Sequence, residues 1–228
     1  MGQAKNRGSR EDRIAQAVAS GADRKKIVQT STRIRLPKSH AEAIEWDQRF
    51  AAILRRLTTP REIDANVIAF ASELSEAPPI FVDGQPELWS RKDCCDLNVA
   101  KYIEAHGGSA LCGYRIWYSE PDYIEGERHM VWTDGETIRD VSFVVSGEET
   151  TVFVPDKLDF EQAPGKVRKG LTDDSRMLLA IHEMIEGMKP PIPRSSEAVW
   201  EVTQTYAQWK NDRAQIGEGT TDKGRDGA

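Results

Sequence analysis

A thiol that attacks a carbonyl carbon, an imidazole that takes and returns its proton, and a carboxylate that fixes the imidazole tautomer are the parts of nucleophilic acyl chemistry. The sequence offers one residue for each role, in the order Cys95, His129, Asp140. The pairing of the last two follows from a hairpin register. Asp134-Gly135 is a strong two-residue turn signal, and with these two at the turn the numbers of facing residues sum to 269. Val131 then faces Ile138 and His129 faces Asp140. Facing residues share one side of the sheet with Cβ atoms about 5 Å apart, so the register sets an imidazole beside a carboxylate.

The nucleophile needs a different support. Ser90 or Asp93 can cap a short helix carrying Cys95, Val99, Tyr102 and Ile103, which Gly107-Gly108 ends. Cys95 then sits in the first turns, where the helix dipole favours a thiolate and free backbone amides can receive an oxyanion. It shares a helix face with Val99 and Tyr102 and points to the body. Cys94 lies about 100° around the helix and reads as structural. Cys112, on a strand before Gly113, reads as core filler. Gln85 or Trp89, just ahead of the helix, are candidates for an oxyanion contact.

The remaining pattern supplies the elements that must hold these residues. Trp46, Phe50, Ile53, Leu54 and Leu57 recur at helical spacing. Thr59-Pro60-Arg61-Glu62 reads as a capping box opening a second helix through Ile63, Val67, Phe70, Ala71 and Leu74, so residues 39–77 are predicted to be a helical hairpin. Strands are expected over residues 110–118, 123–132, 137–145 and 150–154, forming an antiparallel meander in a Cys-His-Asp core over 78–160. Helices over 175–187 and from Ser196 to about Arg213 lie in a segment, 161–216, expected to pack on that core. Residues 217–228 read as a disordered tail. The fold class is α+β.

Several strings add to the triad: Cys95-Asp96-Leu97-Asn98-Val99, Gly107-Gly108, Gly113-Tyr114-Arg115-Ile116-Trp117, Glu127-Arg128-His129-Met130-Val131-Trp132 and Asp140-Val141-Ser142. Over roughly residues 90–156 this order resembles the transglutaminase-like branch of papain-like cysteine enzymes and a set of uncharacterised bacterial proteins with such a core. The resemblance implies Cys95 as nucleophile, His129 as base and Asp140 as orienting acid. One departure is that transglutaminases usually carry a Gly and a Trp beside the nucleophile, whereas here Asp93 and Cys94 precede it.

Composition limits the alternatives. With 39% hydrophobic and 30% charged residues and six Trp, the chain can bury a core. No run approaches the roughly 18 apolar residues of a spanning helix, and the charged start lacks a signal-type apolar stretch, so a cytoplasmic protein without membrane partner is expected. Three cysteines make no even disulfide framework. Cys94, Cys95, Cys112 and His129 lack the Cys-x-x-Cys spacing of a zinc site, and His182-Glu183 lacks the second His of a zincin helix, so neither metal nor cofactor is expected. Nine Lys or Arg against three acids give residues 1–35 a charge of +6 within a chain of net −6. Residues 1–38 therefore read as a basic flexible arm, with a short helix near residues 10–19. The sequence supports two functions. One is cysteine-dependent acyl transfer or hydrolysis (amidase, peptidase, deamidase or transglutaminase type) on a protein or peptide substrate. The other is a non-catalytic binding or adaptor protein whose arm engages nucleic acid or an acidic protein partner.

Overall fold

The computed structural model describes residues 35–188 and 195–219, with side chains described as far as residue 215. The expected basic arm ahead of residue 35 and the short helix expected in it, the Pro-rich connector and the last residues of the tail lie outside the described residues. Helix α1 spans His40–Leu54 and α2 spans Ala65–Leu74. Strand β1 covers Ile80–Asp83, α3 Cys95–His106, β2 Ser109–Ser119, β3 Tyr123–Thr133, β4 Ile138–Arg139 and β5 Thr150–Pro155. After a 3-10 turn come β6 (Lys166–Gly170), α4 (Asp173–Gly187), α5 (Ser196–Val202) and α6 (Tyr206–Gly219). The expected α+β class is observed: helices against an antiparallel sheet of six strands among the described residues. No helix among these residues is long and apolar enough to cross a membrane.

The sheet is not the meander that strand order along the chain suggests. Its order is β1-β5-β2-β3-β4, with β6 added to β3. Strand β4 is only two residues long, and the chain leaves it to return as β5 on the far side of β2. The two ends of this order then meet. Gly84, just after β1, bridges Asp140, just after β4. The Asp140 amide donates to the Asp83 carbonyl at 3.2 Å, and Gln85 N–H donates to the Asp140 carbonyl at 2.8 Å. The curled sheet thus has an inner face, filled at this end by Val82, Val131 and Phe153 with Ile80, Leu111 and Ile138.

Alternation along the strands assigns everything else to a face. Tyr114, Ile116, Tyr118 and Ile124 pack on Val67, Phe70 and Ala71 of α2, and Met130 and Trp132 pack on Val99, Tyr102 and Ile103 of α3. Helix α1 goes elsewhere: Trp46, Phe50 and Ile53 meet Tyr123 and the α4 residues Leu178, Leu179 and Ile181. The two helices expected as a hairpin therefore bury their stripes in different clusters rather than against each other. The cap differs too: Asp64, not Thr59, opens α2, its carboxylate accepting from Val67 N–H, while Thr58 is drawn into a backbone bridge with Tyr118.

Two further corrections concern the second half. Lys166–Gly170 reads as polar and charged, yet pairs with residues 123–127 of β3, because an edge strand needs only one buried side. The single helix expected from Ser196 is broken at residues 203–205. There Arg91 donates to the Thr203 carbonyl, Lys92 N–H to the Gln204 carbonyl, and Arg91 bridges Thr205, so the break docks the C-terminal helices on the segment leading to α3.

Candidate active site

The hairpin carrying His129 and Asp140 is longer than its sequence signal. Trp132 pairs with Arg139 and Thr133 with Ile138, so the facing numbers sum to 271 instead of 269. Residues 134–137 form the loop: Asp134 accepts from Glu136 N–H and Thr137 N–H, and Gly135 takes φ 99°, a region that favours glycine. Strict pairing is thereby lost. A shift of two nevertheless preserves side-chain parity, so His129 and Asp140 still point to the same inner face. His129 Nε2 lies 2.8 Å from Asp140 Oδ2, and the two residues are 4% and 1% exposed.

A third side chain completes a triangle. Arg115, 6% exposed on β2, places Nη2 at 2.5 Å from Asp140 Oδ2 and 2.7 Å from His129 Nε2. Asp140 Oδ1 accepts from Ser142 N–H at 2.9 Å, and Ser142 Oγ accepts from the buried Asn98 amide at 3.1 Å. Asn98 also grips both backbone groups of Arg91, which ties the start of α3 to the Asp140 loop. Opposite His129 across β2 stands Gly113. A Cβ there would overlap the Val154 carbonyl oxygen and meet Phe153 Cζ at 2.6 Å, so only glycine lets β5 approach behind the ring.

Burial by itself raises the Asp140 carboxyl, but the His129 contact, the Arg115 guanidinium and the Ser142 amide outweigh it and hold it well below the usual carboxylate range. Burial and Arg115 together lower His129 against the opposing pull of Asp140, leaving a neutral imidazole. The site at rest is therefore a carboxylate, a guanidinium and an uncharged ring.

Cys95 is the first residue of α3 and is half-buried. The expected caps are not used: Cys94 occupies the cap position without a side-chain bond, Asp93 takes φ 56°, and Ser90 instead donates to the Val141 carbonyl. β6 pairs with β3 only to Glu127, and β4 only from Trp132, so this edge of β3 is open between them. Cys95 meets it there, its sulfur taking a backbone hydrogen bond from Met130. Burial pushes the thiol up to about 12 despite that bond. Asp96 and Asp140 add to the rise, and the Arg115 charge opposes it. Among the described residues no hydrogen bond joins the Cys95 sulfur to the His129 ring; Nε2 is engaged by Asp140 and Arg115. Cys94, 1% exposed, faces Thr203 Oγ1 at 3.5 Å, and Cys112 is half-buried on β2.

Some functional-looking residues were visible as strings without a role. Arg115 interrupts an aromatic and β-branched run, which is the signal that could have marked it, and Ser142 and Asn98 lie two and three positions from residues already singled out. Of the two oxyanion candidates, Gln85 spends its backbone amide on Asp140, while Trp89 lies under the Lys101 ammonium. A surface cleft of about 270 Å³ opens beside Ser142, lined by Phe143, Tyr206, Trp209 and Arg213, and none of Cys95, His129 or Asp140 lines it. Among the described residues no group of three His, Cys, Asp or Glu could hold a metal ion. Comparison with family models, with curated proteins and with solved structures finds no match to the chain.

Proposed function

We propose that this chain catalyses cysteine-dependent acyl transfer or hydrolysis of an amide or related carbonyl, on a papain-like or transglutaminase-like core, with Cys95 as nucleophile, His129 as base and Asp140 as orienting acid. The observation that supports it is the buried His129–Asp140 pair at 2.8 Å, set where the sheet closes on itself, with Cys95 at a helix N-terminus within the field of the same Asp140 and Arg115. Buried acid–base pairs with shifted protonation cluster at functional sites.

The chemistry is general-base catalysis from a neutral thiol. With Nε2–H given to Asp140, the lone pair of His129 lies on Nδ1 and takes the thiol proton as sulfur attacks the carbonyl carbon. The imidazolium returns that proton to the leaving amine as the C–N bond breaks, leaving a thioester on Cys95. Water or an amine, deprotonated by the same ring, then breaks the C–S bond and the proton goes back to sulfur. The acceptor determines whether the outcome is hydrolysis or transfer.

The neutral thiol favours one other reading, a non-catalytic binding or adaptor protein. A small activated acyl donor such as p-nitrophenyl acetate separates the two. In the acyl-transfer reading, mass spectrometry finds one adduct on Cys95, absent in Cys95→Ser, reduced at least about 100-fold in rate in His129→Gln and retained in Cys94→Ser. Acylation that does not depend on His129, or that falls equally on Cys94 and Cys112, overturns it.

A further inference from the structure

We propose that Arg115 is a positioning residue of this site: by sharing Asp140 Oδ2 with His129 it holds the imidazole uncharged, so that the resting site is a neutral thiol and neutral ring rather than a thiolate–imidazolium pair. This rests on the acyl-transfer reading of Cys95 and His129.

The argument is one of donors and acceptors. Three atoms, Arg115 Nη2, His129 Nε2 and Asp140 Oδ2, lie pairwise 2.5–2.8 Å apart. The guanidinium only donates and the carboxylate only accepts. If Arg115 donated to Nε2, a lone pair of the ring would face the carboxylate at 2.8 Å with no proton between them. If Nε2–H donates to Oδ2, the carboxylate receives two charge-assisted bonds and the arginine–histidine contact is simply close packing of two donors. The second arrangement is favoured because bonds to an ionised acceptor are roughly twice as strong as neutral ones. A proton added to Nδ1 would then place a second cation 2.7 Å from the guanidinium in a buried setting, with one carboxylate between them.

The groups around the ring leave Arg115 as the decisive cation. Asp140 faces it from the end of β4 and already bonds Arg115. Glu127, on the same strand as His129 and opposite Arg115 in register, accepts from the Trp117 indole N–H at 3.0 Å, and its charge opposes that of Arg115 at the ring as the smallest of the named influences. β5 contributes the uncharged Phe153 ring, 6.3 Å away between centroids. From α3, Cys95 couples to Arg115 and Asp140. Among the described residues the buried Nε of Arg115 has no hydrogen-bond partner; the guanidinium is held by this triangle and lies 5.7 Å from the Trp117 ring centre.

The test is an NMR titration of the imidazole carbons in the full-length protein, with His129→Gln identifying the signal among the four histidines. In Arg115→Gln the His129 midpoint moves up by about one pH unit or more, as removal of an adjacent like charge requires. In Arg115→Lys, which keeps the cation, it stays at the wild-type value. An unchanged or lower midpoint in a folded Arg115→Gln, or an equal rise in Arg115→Lys, overturns the proposal. Should Arg115→Gln fail to fold, Arg115→Met takes its place, a raised midpoint supporting the role and an unchanged one refuting it. No turnover is needed, so a protein that proves inactive in the acylation assay loses the enzyme reading while the effect of Arg115 on the ring is still measured.

Discussion

Two buried arginine–aspartate pairs lie on opposite faces of the same sheet, and they are built differently. Arg128, next to His129 in sequence but turned to the other face, pairs with Asp156 and donates to the Gly113, Leu158, Asp159 and Phe160 carbonyls, with its guanidinium 5.2 Å from the Tyr114 ring centre. All three of its nitrogens are used, and the partners belong to β2 and to the continuous segment 156–160, so this arginine pins the loop after β5 to the sheet. Arg115 spends Nη2 on Asp140 and His129, and among the described residues its Nε has no hydrogen-bond partner and its guanidinium donates to no backbone carbonyl. A cation whose donors are saturated by carbonyls holds structure. One that competes with an imidazole for a single carboxylate oxygen tunes that imidazole.

The contrast is open to attack at several strengths. Arg128→Met strands Asp156 in the interior and removes five carbonyl or carboxylate contacts, so denaturant unfolding is expected to show a loss of about 3–5 kcal/mol. Arg115→Met leaves Asp140 still bonded to His129 and Ser142 N–H, and the expected loss is about 1–3 kcal/mol. Equal losses would mean that Arg115 is as structural as its counterpart.

Acidification sharpens the point. His129 is lowered from 6.5 and Asp140 from 3.8, so in both cases the unfolded chain binds the proton first and stability falls as pH drops. Thermal melts should show a loss beginning below about pH 6.5 and running down to the lowered His129 value, then a second below about pH 3.8. The upper window should vanish in His129→Gln. Its persistence there would assign it to another group.

The smallest effect is expected at the turn. Asp134→Ala removes two exposed turn bonds, yet the His129–Asp140 pair is also held by the Gly84–Asp140 bridge, so the His129 NMR midpoint should not move. A displaced midpoint would show that the loop, not the closure of the sheet, sets the pair.

Much of this was legible in the residues. Gly107, at φ 72°, ends α3 where the sequence places a stop, β2, β3 and β5 fall within a residue or so of the aromatic and β-branched runs, and period-two alternation brings His129 and Asp140 to one face even though the hairpin loop is two residues longer than its turn signal. Parity survives an even slip, which is why the wrong loop length still yields the right neighbours. The path of β5 to the far side of β2, the separate burial of α1 and α2, and the strand at Lys166–Gly170 were not legible, because each depends on which distant surface is left uncovered. The local elements and the facing of their side chains follow from the order of residues alone, since backbone geometry and patterning act over a few residues. Folding of the whole chain is what curls the sheet until Gly84 meets Asp140, draws Arg115 into the space so formed, and brings Cys95 to an open strand edge as a neutral thiol. Those outcomes are set by burial and by charges brought together from far apart in the chain.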